Sequence, residues 1–303
     1  MSKEYLEKDS DLKSYLDEQA EATKGKSIEQ QCLEYDEYVK ENDIWQAKSA
    51  EIYQKNPLIE WAEVEKLIGK CPWPGPASCK NPYRPTGLYE CMLKRIIPYS
   101  IKGVIWYQGE SDDHKSQMYY KLFSNMILNW REQWKNENLP FIFVQLPEHR
   151  YKQDKDYKSW CKIREAQTKV YNNIKNTFMA VGMGLGKFND IHPTAKKEIA
   201  YRLEKAAIHG VYKDSYFSNL DISNGFSPIF KDSLALQDKL ILYFDNAKDG
   251  FVIKNTDKIL NEYKELEAIQ GNTNHNDFTG FEIAGKDGIF YPAKYEFGTE
   301  EKN

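Results

Sequence analysis

Between residues 103 and 210 three short apolar runs alternate with three helical stripes. A parallel sheet with helices packed on its faces is the architecture that accommodates this order. The runs are Gly103-Val-Ile-Trp-Tyr107, Phe141-Ile-Phe-Val-Gln145 and Phe178-Met-Ala-Val-Gly182. The stripes are Tyr119, Leu122, Met126, Trp130 and Trp134, then Trp160, Ile163, Gln167, Val170 and Ile174, then Ala195, Ile199, Leu203 and Ala206, the last closed by Gly210. The strands are therefore expected near 103–107, 141–145 and 178–182, parallel and adjacent. In such a sheet the chemistry sits in the loops just beyond the carboxyl ends of the strands.

The flanks differ in character. Residues 1–70 are polar and helical in pattern, with no Gly before Gly25 and no Pro before Pro57. Apolar residues recur at helix spacing at Ile44, Ala47 and Ala50, and again at Leu58, Trp61, Val64 and Ile68. Segment 71–87 is dense in Pro and Gly and reads as an irregular loop that opens the α/β core of residues 71–212. From residue 213 to 303 the pattern becomes β-rich: Lys239-Leu-Ile-Leu-Tyr-Phe244 and Gly280-Phe-Glu-Ile-Ala284 are strand-like, separated by turn clusters such as Asn246-Ala-Lys-Asp-Gly250.

Composition removes several classes. Apolar residues are 41% and charged residues 29%, enough for a sizeable core and too apolar for wholesale disorder. Lys plus Arg number 42 against 46 Asp plus Glu, so the concentrated basic face that nucleic-acid backbone binding requires is not expected. No apolar run approaches the roughly 20 residues of a membrane span. The opening residues lack the apolar core of a secretion signal, so the chain as written reads as cytoplasmic. Five cysteines, with no Cys-x-x-Cys pair, indicate neither a zinc knuckle nor a disulfide framework. A Cys71–Cys79 bridge is open only in an oxidising compartment. The 21 Tyr, 14 Phe and 7 Trp point to an aromatic-rich core, with sugar-stacking surfaces as the alternative.

Two loops carry candidate chemistry. In Trp106-Tyr-Gln-Gly-Glu-Ser111, Gln108 can donate two amide hydrogens, Gly109 lets backbone approach a ligand, and Glu110 offers a carboxylate. In Asn189-Asp-Ile-His-Pro193, His192 could act as a general base beside Asp190, with the Pro starting a helix; a helix cap by Asn189 or Asp190 is the plainer alternative. Gly182-Met-Gly-Leu-Gly186 mimics a dinucleotide loop, but its third Gly comes too early and no helix follows directly. Asp112-Asp113-His114 reads as a solvated turn, because contiguous residues rarely converge on one metal ion. His149, His209 and His275 have no partner at useful spacing, and Ser111 lacks the strand–turn–helix context of a nucleophile.

Several motifs in order carry a resemblance. Leu88-Tyr89, Ile97 through Ser111, Asn129-Trp-Arg131, Leu139 through Leu146, Arg164-Glu-Ala-Gln167 and Asn189-Asp-Ile-His-Pro193 together resemble the sialate O-acetylesterase family of SGNH-type carbohydrate esterases, over roughly residues 75–210. Gly250-Phe251 and Gly280 through Gly285 are similar to the β-rich C-terminal part of that family. The resemblance implies an SGNH-hydrolase-like, flavodoxin-like three-layer α/β fold with a partial β-rich domain. It also implies cofactor-free and metal-free hydrolysis of O-acetyl esters on sugars, sialic acids above all, by a serine nucleophile and a His base. Under that reading Gln108 helps form the oxyanion hole with Gly109 and Asn189 beside it. His192 is the base, and Asp190 is the orienting acid with Glu110 as its rival. The partner implied is an acetylated sugar.

The family's Gly-Gln-Ser-Asn nucleophile block and its Gly-rich oxyanion block are not found in this chain. The expectation is accordingly a family member that begins partway through its catalytic domain and ends before its β domain is complete. Such a chain would lack activity by itself and would expose a sheet edge. An inactive acetyl-sugar-binding or accessory protein is the alternative, and an insoluble remnant a third.

Overall fold

The structure, a computed structural model, describes residues 1–57, 59, 61–97, 99–149, 158–187, 190–212, 227–247, 250, 281–296 and 298. Leu58, Asn189 and Phe251, singled out above, lie outside the described residues. The chain forms two compact units, Met1–Phe226 and Ser227–Asn303.

The first unit opens with four helices: α1 (Lys3–Glu7), α2 (Ser10–Ala22), α3 (Ile28–Lys55) and α4 (Trp61–Ile68). Caps set their starts. Asp9 accepts the backbone N–H groups of Asp11 and Leu12, and Ser27 accepts that of Gln30. On α3 the stripe expected at Ile44, Ala47 and Ala50 faces solvent, and Trp45 and Ser49 are buried instead. The indole removes more apolar surface from water than Ile44 or either alanine would, so the helix turns it inward. Trp45 Nε1 donates to the Gly69 carbonyl at 2.8 Å, just past the end of α4, and its ring meets Trp61 with centroids 5.0 Å apart. On α4 the reading holds: Val64 is buried between the half-buried Trp61 and Ile68.

The Pro- and Gly-rich loop after α4 is ordered by polar side chains. Asn81 donates to the Pro74 and Pro76 carbonyls, and Ser78 Oγ donates to the Gln31 carbonyl of α3. The Cys79 N–H donates to Gln31 Oε1, which seats Cys79 Sγ 3.7 Å from Cys32 rather than beside Cys71. All five cysteines are free thiols. The Cys71–Cys79 pairing is therefore replaced by a Cys32–Cys79 proximity that loop spacing could not reveal.

A π turn at Tyr89–Leu93 runs into the short α5 (Lys94–Ile96), and the α/β core follows. Strands β1 (Val104–Trp106), β2 (Phe141–Gln145) and β3 (Thr177–Val181) are all parallel in the order β1-β2-β3, with Trp106 beside Phe143 and Phe143 beside Met179. Helices α6 (Ser116–Gln133) and α7 (Lys158–Asn173) cover one face, where Phe123 meets Phe143 edge to face at 5.0 Å and Trp130 meets Phe141 at 5.9 Å. Helix α8 (Lys196–Ala207) covers the other, packing Ile199, Leu203 and Ala206 on Ile142, Val144 and Ala180. Successive β2 side chains thus enter opposite cores, which is why the strand reads as one continuous apolar run. The result is a three-layer α/β arrangement with the expected strands parallel and adjacent.

Helix α8 does not stop at Gly210. It continues as a π turn, Ile208–Tyr212, that lays Gly210 on the ring of Phe178. A Cβ at this position would stand 2.2 Å from Phe178 Cδ1, so the glycine is there for space and not as a cap. Gly210→Ala is expected to lower stability by about 1–3 kcal/mol through overpacking, read as a lower urea midpoint at unchanged slope.

The second unit contains two antiparallel hairpins, β4 (Ile229–Ala235) with β5 (Leu240–Asp245) and β6 (Glu282–Ala284) with β7 (Phe290–Pro292). Strand β4 had no apolar run to announce it, because its residues beyond Ile229 are exposed.

Candidate active site

Three loops leave the carboxyl ends of the three parallel strands, and the two sequence-derived candidates lie on the outer ones. After β1, Gly109 has φ of +147°. A Cβ there would press to 3.2 Å on Ile163, Leu146 and the Tyr119 hydroxyl, so the turn admits only glycine. The backbone carbonyl of Gln108 accepts from Tyr119 Oη at 2.8 Å and from Gln167 Nε2 at 3.3 Å. Gln167 is fully buried on α7, and its Oε1 accepts the Leu146 N–H at 2.9 Å just after β2. One amide side chain therefore ties the first loop to the second.

The side chain of Gln108 donates through Nε2 to Asp112 Oδ2 at 2.5 Å. Burial pushes the Asp112 carboxyl above its usual range, opposed by this amide and by His114. The stretch Asp112-Asp113-His114 is thus more than a solvated turn: its first residue selects the amino end of the Gln108 amide. Glu110 and Ser111 belong to the 3-10 turn Glu110–Lys115, where Ser111 is exposed. The Glu110 charge acts on Tyr107, whose hydroxyl pKa is pushed up to about 12 chiefly by burial.

After β3, Gly182 and Gly186 pack on the backbone of the second loop. A Cβ at Gly182 would lie 2.4 Å from the Gln145 carbonyl oxygen, and one at Gly186 2.3 Å from that of Glu148. Glu148, buried, accepts the Gly184 N–H at 2.9 Å. The Gly182–Gly186 glycines that imitate a dinucleotide loop hold two loops together.

His192 follows on this loop with its side chain 68% exposed, while that of Asp190 is 18% exposed. Asp190 Oδ1 accepts the His192 backbone N–H at 2.8 Å and stands 3.9 Å from His192 Nδ1. Asp190 is not a helix cap: α8 begins only at Lys196, behind Ala195, so Pro193 precedes the helix rather than starting it. Lys196 in turn sits over the ring of Tyr107, 4.6 Å from its centroid, joining the start of α8 to the end of β1. Gln108 and the Asp190–His192 pair thereby share one edge of the sheet.

Sequence reasoning passed over His149. It follows β2 in the second loop and meets Trp160 edge to face at 5.0 Å. Burial lowers its imidazole pKa, with Asp190 raising it and a charged His192 lowering it further. Its signal was its position beyond a strand end, the same signal used for the other two loops, and not a sequence neighbour. Among the described residues no group of three or more His, Cys, Asp or Glu side chains could hold a metal ion, and no helix is long and apolar enough to cross a membrane.

Residues 70–209 match the family described as carbohydrate esterase, sialic acid-specific acetylesterase. The mouse sialate O-acetylesterase is 34% identical over 144 residues, 42% of this chain and 26% of that protein. The human sialate O-acetylesterase is 34% identical over 147 residues, 43% of this chain and 28% of that protein. The matched stretch thus spans only about a quarter of these relatives' length. The crystal structure of a carbohydrate acetylesterase from Xanthomonas citri is similar with a TM-score of 0.54 and 29% identity, covering 70% of this chain and 43% of that one. In motif order, sequence and fold, residues 70–209 are similar to the sialate O-acetylesterase family of carbohydrate esterases.

Proposed function

We propose that this chain supplies an oxyanion donor and a general base for the hydrolysis of O-acetyl esters on sialic acid or a related sugar. The observation that carries this reading is the placement of Gln108 and the Asp190–His192 pair at one edge of a single parallel sheet. In ester hydrolysis a hydroxyl adds to the acyl carbon, the carbonyl oxygen becomes an oxyanion, and an imidazole accepts the hydroxyl proton. Asp112 takes one N–H of the Gln108 amide, which leaves the other for the developing oxyanion. Asp190 lies beside the imidazole that becomes cationic, where its charge offsets the one that forms.

The sequence contains no Gly-Gln-Ser-Asn block, so the hydroxyl nucleophile would come from a segment other than residues 1–303. That absence favours a second reading, in which the chain binds acetylated sugar without turning it over. Purified 1–303 is expected to show no measurable hydrolysis of 4-nitrophenyl acetate or of O-acetylated sialic acid. Calorimetry with the acetylated sugar separates the two readings: binding that weakens in Gln108→Ala favours the second. Robust turnover that disappears in His192→Ala would sink the expectation and make Ser111 the nucleophile to test.

A further inference from the structure

Helix α4 lies outside residues 70–209, yet it reaches the candidate site. Trp61, its first residue, meets the imidazole of His192 with ring centroids 5.9 Å apart and planes inclined by 56°. Trp61 is itself seated on Trp45 of α3, at 5.0 Å and 44°. Trp45 is buried, and its indole N–H is held by the Gly69 carbonyl just past the end of α4. The indole beside His192 is thus anchored through both ends of its helix.

His192 needs such an anchor. Its side chain is largely exposed on a loop, and its Nδ1 stands 3.9 Å from Asp190 Oδ1, too long for a hydrogen bond, while that same oxygen accepts the backbone N–H of His192. The carboxylate contributes charge without fixing the ring. A ring packed against the imidazole limits the rotamers it can reach. We propose that Trp61 is a positioning residue for His192, holding the imidazole at the carboxyl edge of the sheet.

The role of His192 as a base rests on the esterase reading above; its contact with Trp61 does not, because the ring can be observed whether or not any ester is cleaved.

The test is NMR of the His192 side chain in the full chain, assigned with H192Q and compared among wild type, W61F and W61A. One fixed rotamer gives one large and one small Hα–Hβ coupling, and W61A is expected to bring the two to a common averaged value, with W61F in between. A ring-to-ring NOE between His192 and Trp61 is expected in the wild type. A wild-type spectrum without that NOE, or Hα–Hβ couplings of His192 that stay unchanged in folded W61A, overturns the proposal. Should W61A fail to fold, the NOE and W61F decide, and unchanged couplings in W61F overturn it. Failure of the esterase reading would show instead as no turnover when a serine-bearing segment is supplied, with the NOE and couplings intact.

Discussion

Asp190→Asn is expected to lower kcat by about 10³- to 10⁴-fold, with Glu110→Gln costing far less, in this chain joined to a segment that carries a serine nucleophile. The ranking follows from placement. Asp190 is mostly buried and stands 3.9 Å from His192 Nδ1, whereas the Glu110 carboxylate bears on Tyr107 and Tyr119 at the end of β1. Catalytic hydrogen bonds are often long in an unliganded site and tighten around the substrate. An amide at 190 keeps the volume and can keep accepting the His192 N–H, but it removes the charge that stabilises the imidazolium. Steady-state kinetics on an acetyl ester, with kcat and KM resolved, checks this. A larger loss in Glu110→Gln would move the orienting role to the β1 loop.

Arg131→Met is expected to destabilise the first unit by roughly 2–4 kcal/mol. Arg131 is buried on α6, and its guanidinium donates to three carbonyls: Leu139 at 3.0 Å, Lys175 at 2.7 Å and Asn176 at 3.2 Å. Those residues lead into β2 and β3, so one side chain sets where two strands begin. Methionine fills much of the volume but leaves the Leu139 and Lys175 carbonyls without this donor, while the Asn176 carbonyl still accepts the Phe141 N–H. Lysine restores little, since a single ammonium cannot span three carbonyls that a planar fork reaches. Urea denaturation followed by circular dichroism measures the change, and a midpoint shift below 1 kcal/mol would show that water replaces the guanidinium. Asn129, in the same Asn129-Trp-Arg131 motif, accepts the Ser2 N–H at 2.9 Å in full burial, so that motif is a fastening for the fold rather than part of the chemistry.

The strands and their helices were legible because each layer leaves a periodic trace. Phe141 to Gln145 is apolar on both faces because α6 and α8 cover it from opposite sides. Helices α7 and α8 bury the stripes their spacing predicts, at Ile163, Gln167 and Val170 and at Ile199, Leu203 and Ala206. What stayed hidden depends on contacts between residues far apart in the chain. Nothing near Trp45 in sequence tells which face of α3 turns inward; that is decided by α4 and Gly69. His149 has no neighbour within the sequence that marks it, and gains its setting only when β2 and β3 lie side by side. Asp112 looks like any acidic turn until the 3-10 geometry brings it back to Gln108, four residues earlier. The two outer loops were found because strand ends can be located from sequence, and Trp61 was missed because its helix carries no such address.

The contact between the second and third loops is one of main chain on main chain, Gly182 against the Gln145 carbonyl and Gly186 against that of Glu148. Peptide groups have fixed dimensions, so the separation of the two loops is set by a ruler that side-chain variation cannot lengthen or shorten. Met183 lies between those glycines and is exposed. Randomising position 183 should therefore yield a library in which most members keep the His192 loop in register, while the same randomisation at 182 or 186 yields almost none. That makes the Gly182–Gly186 segment a natural place to graft new specificity at the rim of the site without disturbing its spacing.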